Sequence, residues 1–149
     1  MNLSRLLPPV PVEYRGSPLS VYFLALVATV STVRSLIHIL APDGGAHSIA
    51  GLAVDASTGA NLVAMFAQWG ASQLLLALFY WLALLRYRFL VPFMLAIVAL
   101  EQALRVGVGF LKPLQVASPP PGAVGSYLLL PLSLVALGLA LRRGQDDEG

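Results

Sequence analysis

Four apolar runs, each about twenty residues long and nearly free of charge, leave this chain few ways to fold. They lie at residues 18–40, 61–85, 89–112 and 123–141. At 1.5 Å per residue, roughly 20 helical residues cross the ~30 Å of hydrocarbon in a bilayer. The predicted fold is therefore all-α, a four-helix transmembrane bundle forming a single domain over residues 18–141. Composition points the same way, with 58% of the 149 residues hydrophobic and 11% charged. Soluble domains carry about 25% charged residues, so a soluble globular protein is excluded.

The ends of the runs have physical causes. Pro18 suits a first helical turn, as does Pro92 near the start of the third run. Pro42-Asp43-Gly44-Gly45 is turn chemistry, and Pro113 and the later SPPPG cannot continue a helix. Pro131 lies inside the fourth run, where it frees the carbonyl of Tyr127 and should bend the helix. Residues 1–17 are proline-broken and too polar to span. The first run is expected to be retained rather than cleaved as a signal peptide, because LIHILAPDGG lacks a small residue at the −3 position for a cut after Ala41.

Arginines set the orientation. Arg5 and Arg15 precede the first run, Arg86 and Arg88 fill the turn between the second and third, and Arg142 and Arg143 follow the fourth. Four crossings put all six on one side, opposite Lys112, Asp43, Asp55 and His47. The positive-inside rule then makes both termini cytoplasmic, with residues 142–149 a solvated acidic tail. The net charge of +2 and the scattered basic residues give no nucleic-acid footprint. The lack of cysteine excludes disulfides, thiolate metal sites and a cysteine nucleophile.

Polar residues inside the runs carry the functional signal. At about 100° per residue, Ser31, Arg34, Ser35 and His38 share a face of the first helix. Asn61, Met65, Gln68 and Ser72 share a face of the second, and Glu101, Arg105 and Lys112 a stripe of the third. Ala99, Ala103 and Gly107 form a small-residue stripe on the other side of the third helix, suited to a close neighbour, a partner helix or a second copy. Counted from the outer surface, Arg34 lies about 9 Å deep, Gln68 and Arg105 about 10–11 Å and Glu101 about 17 Å. Three helices thus place their most polar side chains in the outer half of the membrane or, for Glu101, close to its middle.

A charge uncompensated in lipid costs about 2.5–3.5 kcal/mol on the insertion scale. Glu101 can pair with Arg105 at i, i+4 or with Arg34 across the bundle. Either way one guanidinium is left over. Asp43 or Asp55 from the loop, a chain of Gln68, Gln102 and backbone carbonyls, or a bound anion such as a lipid phosphate could meet it. The expected ligand-binding residues are Arg34, His38, Gln68, Glu101 and Arg105.

Other chemistry finds less support. His38, Asp43, His47 and Asp55 match no zinc spacing, so no metal site is predicted. Ser48 or Ser57 beside His47 lacks a nucleophile elbow. Tyr80, Trp81, Tyr87 and Tyr127 lie near helix ends and read as interface anchors. Trp69 is deeper and reads as core packing, with pocket lining as the alternative. No histidine pair on facing helices offers haem ligation, and the inner half holds no ionisable residue for a proton relay. No cofactor can be named.

The small size, the four spans, the inside termini and the polar motifs near the outer half resemble, at the level of architecture, the DoxX-like group of small bacterial membrane proteins, while the segments VRSLIHILAPDGG, RYRFLVP and EQALRV read like the fixed points of an otherwise uncharacterised bacterial membrane family. That resemblance implies a bacterial inner membrane and a partner subunit. DoxX-like proteins are similar to subunits of quinone-linked or redox membrane systems, but no cofactor motif carries over residue by residue. The function expected is that of an accessory subunit or a lipid- or anion-binding module, with membrane lipid, another subunit or a second copy as partner. The alternative is a membrane enzyme or redox component acting on a quinone or lipid, with Glu101 or His38 handling the proton.

Overall fold

A computed structural model describes residues 7, 9–10, 12–53, 59–116 and 119–142. Among them are four long helices and no strand: α1 (Pro18–Leu40), α2 (Gly59–Leu85), α3 (Val91–Leu111) and α4 (Pro121–Leu141). A single turn of 3-10 helix, Arg88–Leu90, leads into α3. Each is long and apolar enough to cross a membrane, so the chain is a multi-pass helical bundle. The boundaries fall within two residues of those read from the sequence. Arg5, Asp55, Ser57, Arg143 and the acidic tail lie outside the described residues.

Local chemistry explains the helix ends. Ser17 caps α1 through its side chain, which accepts the Leu19 N–H at 3.3 Å, and Pro18 follows at the first helical position. After α1, Gly44 and Gly45 take positive φ of 58° and 75°, a conformation that glycine alone adopts at no steric cost. Pro131 removes one helical N–H, yet α4 runs on as one helix, and Ser133 Oγ donates to the Leu130 carbonyl at 2.8 Å within the same turn.

The helices associate as two antiparallel pairs, α1 with α2 and α3 with α4, each packed closely within itself and more sparsely against the other. The pairs meet at one end of the bundle, the end with the Arg86–Tyr87 turn and the described terminal segments. There Leu24, Val27 and Ala28 of α1 meet Tyr80, Ala83 and Leu84 of α2, Val91, Leu95 and Val98 of α3, and Ala136 and Ala140 of α4. Ser20 is fully buried in this region and donates through Oγ to the Ala136 carbonyl at 2.8 Å, tying α1 to α4. The Ser17 N–H reaches the Leu139 carbonyl at 3.3 Å. Trp81 Nε1 donates to Thr32 Oγ1 at 3.1 Å and ties α2 to α1.

At the opposite end, which carries the α1–α2 loop and Lys112, the core gives way to small and polar residues. Gly70 sets the approach of α1 to α2: a Cβ there would sit 2.7 Å from the Cβ of His38 and 3.0 Å from the Ser35 carbonyl oxygen. Neither neighbour is the far end of a flexible side chain. Gly70→Ala should therefore destabilise the protein by about 1–3 kcal/mol, the usual range for overpacking. Gly107→Ala, where a Cβ would meet nothing within 4 Å, should stay within about 0.5 kcal/mol of wild type. Unfolding in mild detergent followed by circular dichroism measures both, and equal stability of the two variants would contradict the close approach.

Candidate functional site

Where the two helix pairs part, they enclose a cavity of about 540 Å³, within the range of small-ligand sites. Arg34 and His38 line it from α1, Trp69 and Gln73 from α2, and Glu101 and Arg105 from α3. Gly45, Ile49 and Ala50 of the α1–α2 loop and Leu114 and Pro120 of the α3–α4 connection close it at the loop end. Most of the remaining wall is apolar, and the first turns of α4 supply Gly122, Ala123 and Ser126.

Glu101 pairs along its own helix. Arg105 Nε donates to Glu101 Oε1 at 2.8 Å, and Nη2 lies 2.7 Å from the same oxygen. Nη2 is close enough for attraction but badly aimed, so it makes no hydrogen bond and remains a buried donor. Tyr80, fully buried on α2, lies beside this pair.

Arg34 is the guanidinium left over. Its Nη2 donates to Gln73 Oε1 at 2.9 Å, while its buried Nε has no hydrogen-bond partner. A Cβ on Gly122, in the first turn of α4, would lie 3.8 Å from Nη1. Both guanidiniums lean on one indole: the Arg34 carbon is 5.3 Å and the Arg105 carbon 4.9 Å from the Trp69 ring centroid. Such contacts contribute about 0.5–2 kcal/mol by attraction to the ring quadrupole. They hold a cation in place without neutralising it.

His38 is buried, and its ring lies 5.0 Å from that of Trp69 and 5.5 Å from that of Phe66. Its Nδ1 is 2.6 Å from the Gly44 carbonyl oxygen. A carbonyl only accepts, so Nδ1 carries the proton and Nε2 of the neutral ring is an acceptor. That bond fastens the loop to α1. Asp43 organises the loop itself, accepting the N–H groups of Gly45 at 2.9 Å, His47 at 3.2 Å and Ser48 at 2.7 Å. These hydrogen bonds hold its carboxyl far below the usual carboxylate range.

Of the residues singled out from the sequence, Arg34, His38, Glu101 and Arg105 come together around the cavity. Gln68 does not. Asn61, Met65, Gln68 and Ser72 all point away from the bundle, and Ser72 Oγ turns back to the Gln68 carbonyl at 3.1 Å. The inward face of α2 instead presents Phe66, Trp69 and Gln73. Asp43 is occupied by its own loop, and among the described residues Gln73 and Trp69 contact the Arg34 guanidinium. Gln102 is buried in α3, outside the cavity lining. In the small-residue stripe Ala99 is buried and Ala103 exposed, so only the turn-end part of that stripe packs within the chain.

Sequence spacing does contain a signal for the missed face. Phe66, Trp69, Gly70, Gln73, Ala77, Tyr80 and Leu84 recur at helical intervals, and the last three lie in or beside the core.

Because Asp43 has a lowered pKa in the folded protein, its stabilisation is fully present above the ordinary value of about 3.9 and is lost as pH falls below it toward the folded-state value. The stability gap between wild type and Asp43→Asn should thus be constant from about pH 5 to 7 and narrow below about pH 4. Thermal unfolding of the two proteins across that range tests it, and a gap that widens on acidification would reverse the assignment.

Comparison with protein-family models, curated proteins and solved structures finds no match to this chain.

Proposed function

We propose that this is a bacterial inner-membrane protein with both termini in the cytoplasm, and that it binds an anionic ligand in the cavity at the outer end of its bundle. It would serve as a lipid- or anion-binding module, alone or as an accessory subunit. The orientation rests on the arginines at the turn end, Arg86 and Arg88, against Lys112 at the loop end.

One observation carries the reading. Glu101 is engaged by Arg105, so among the described residues the direct contacts of the Arg34 guanidinium in this apolar-walled cavity are the Gln73 amide and the Trp69 indole. Arg34, Arg105 and Lys112 against Glu101 give the lining an excess of two positive charges. Arginine keeps its proton at any physiological pH. An anion placed between the guanidiniums would gain charge-assisted hydrogen bonds from Arg34 Nε and Arg105 Nη2, two of the four buried side-chain polar atoms that lack a hydrogen-bond partner among the described residues.

Two substitutions of opposite sign test this. Arg34→Gln removes a cationic donor and should weaken retention of an anionic ligand roughly 10- to 100-fold, the loss expected for a hydrogen bond to a charged group. Glu101→Gln removes the competing carboxylate and should strengthen retention. Native mass spectrometry of the gently solubilised proteins with added anionic phospholipid reads both, alongside their unfolding temperatures. Weaker binding in Glu101→Gln with unchanged stability would instead point to a cation or a proton-handling role for Glu101.

A further inference from the structure

The position of the cavity opening indicates where the ligand comes from. Helices α2 and α3 are joined by a very short connection at the turn end, yet they touch only sparsely. They meet around Tyr80, Leu84 and Val91 and diverge toward the loop end. Trp69 on α2 and Leu104 and Val108 on α3 line the cavity and are also exposed, at 37%, 60% and 56%. Trp69 lies ten residues from the loop end of α2 and Leu104 seven from that of α3. At 1.5 Å per residue, with Val108 three residues from the end of α3, this opening runs from about 5 Å to about 15 Å below the helix ends and so reaches the level of acyl chains. On the water side, Gly45, Ile49, Ala50, Leu114 and Pro120 form a roof.

We infer that the cavity takes an anionic phospholipid of the outer leaflet sideways through the gap between α2 and α3, with its phosphate against Arg34 and Arg105 and an acyl chain lying along Trp69, Leu104 and Val108. This rests on the anion-binding reading and adds to it the ligand class and the route. Three features select that class. The gap walls are apolar and open at chain depth. The lining already carries excess positive charge, so the ammonium of a zwitterionic headgroup would be repelled. Lys112, exposed at the rim and part of the lining, offers the headgroup its first contact. The cation–π contact of Arg105 with Trp69 spans the gap and links the two helices that must part for a chain to lie between them.

Trp69 is itself the reporter. Trp81, the second tryptophan, is removed by Trp81→Phe, leaving Trp69 as the single indole. That protein is placed in phosphatidylcholine vesicles doped with phosphatidylglycerol or phosphatidylcholine brominated on the acyl chain, and quenching is compared at equal mole fraction. Brominated phosphatidylglycerol should reach half-quenching at a roughly tenfold lower mole fraction, about the value of one charge-assisted contact, and Arg34→Gln should erase the preference. Quenching by brominated phosphatidylcholine should be unchanged in Arg34→Gln, which shows that the variant is folded and inserted. Equal quenching by the two lipids, or a preference that survives Arg34→Gln, overturns the inference. Inorganic phosphate separates the two levels of the argument. If phosphate shifts Trp69 emission in the wild type but not in Arg34→Gln, and no lipid preference is seen, the site is an anion site reached from water and only the lipid route falls. If neither ligand acts, both readings fall.

Discussion

Arginine in a hydrocarbon-facing bundle cannot shed its charge, and the loop-end architecture of this protein follows from having two such residues and one carboxylate. A lysine or histidine could become neutral on burial, whereas a guanidinium has to be solvated where it stands. Glu101 satisfies one of the two through the i, i+4 relation that helix geometry imposes on Arg105. Arg34, on another helix, is met by Gln73 and Trp69, which supply a dipole and a quadrupole. The region stays positively charged, and it cannot collapse into a dry hydrophobic core as the turn end does.

That difference divides the bundle lengthwise. At the turn end, small residues from α1, α2 and α4 let the helices close around Tyr80, Leu24 and Leu95, and buried hydroxyls reach neighbouring backbone carbonyls. In lipid such close packing, rather than hydrophobic transfer, holds helices together. At the loop end α1 and α2 approach closely through Gly70, while the α3–α4 pair meets them through the cluster of Arg34, Trp69 and Arg105 around the cavity. One end therefore anchors both pairs while the other leaves room between them, an arrangement that lets the loop-end halves of α2 and α3 separate without dissolving the fold.

Most of this fold could be read from the sequence, because bilayer thickness dictates run length, and proline, glycine and arginine mark the ends. Helical periodicity and depth brought Arg34, Arg105 and Glu101 toward one another but left open which arginine Glu101 pairs with, and the structure pairs it with Arg105. The rotation of α2 did not. Gln68 and Ser72 suggested a polar inward face, on the assumption that every polar residue in a membrane helix turns inward. That assumption weighs polarity above packing. Gly70 and Ala77 had to face α1 and the core for the helices to approach, and this turned Trp69 and Gln73 toward the cavity and Gln68 away from it. A single chain of 3.6-residue periodicity decided the face, and polar content was a weaker guide than the small residues.

The choice of tryptophan at position 69 determines what the cavity can select. A carboxylate there would pair with Arg34, make the cluster electrically neutral and leave a ligand nothing to contribute. An aliphatic residue would leave Arg34 held on the α2 side by Gln73 alone and remove the contact of Arg105 with α2, so that Arg105 could snorkel toward the surface. The indole does neither. Its face steadies two cations about 5 Å away while adding no negative charge, so the attraction for an anion survives the folding of the site. The same ring is exposed along the gap between α2 and α3, where an aromatic surface suits an acyl chain as well as it suits a guanidinium. Trp69 thus joins the charged and the apolar parts of the cavity in one side chain, and an amphiphile with an anionic head is the ligand that uses both.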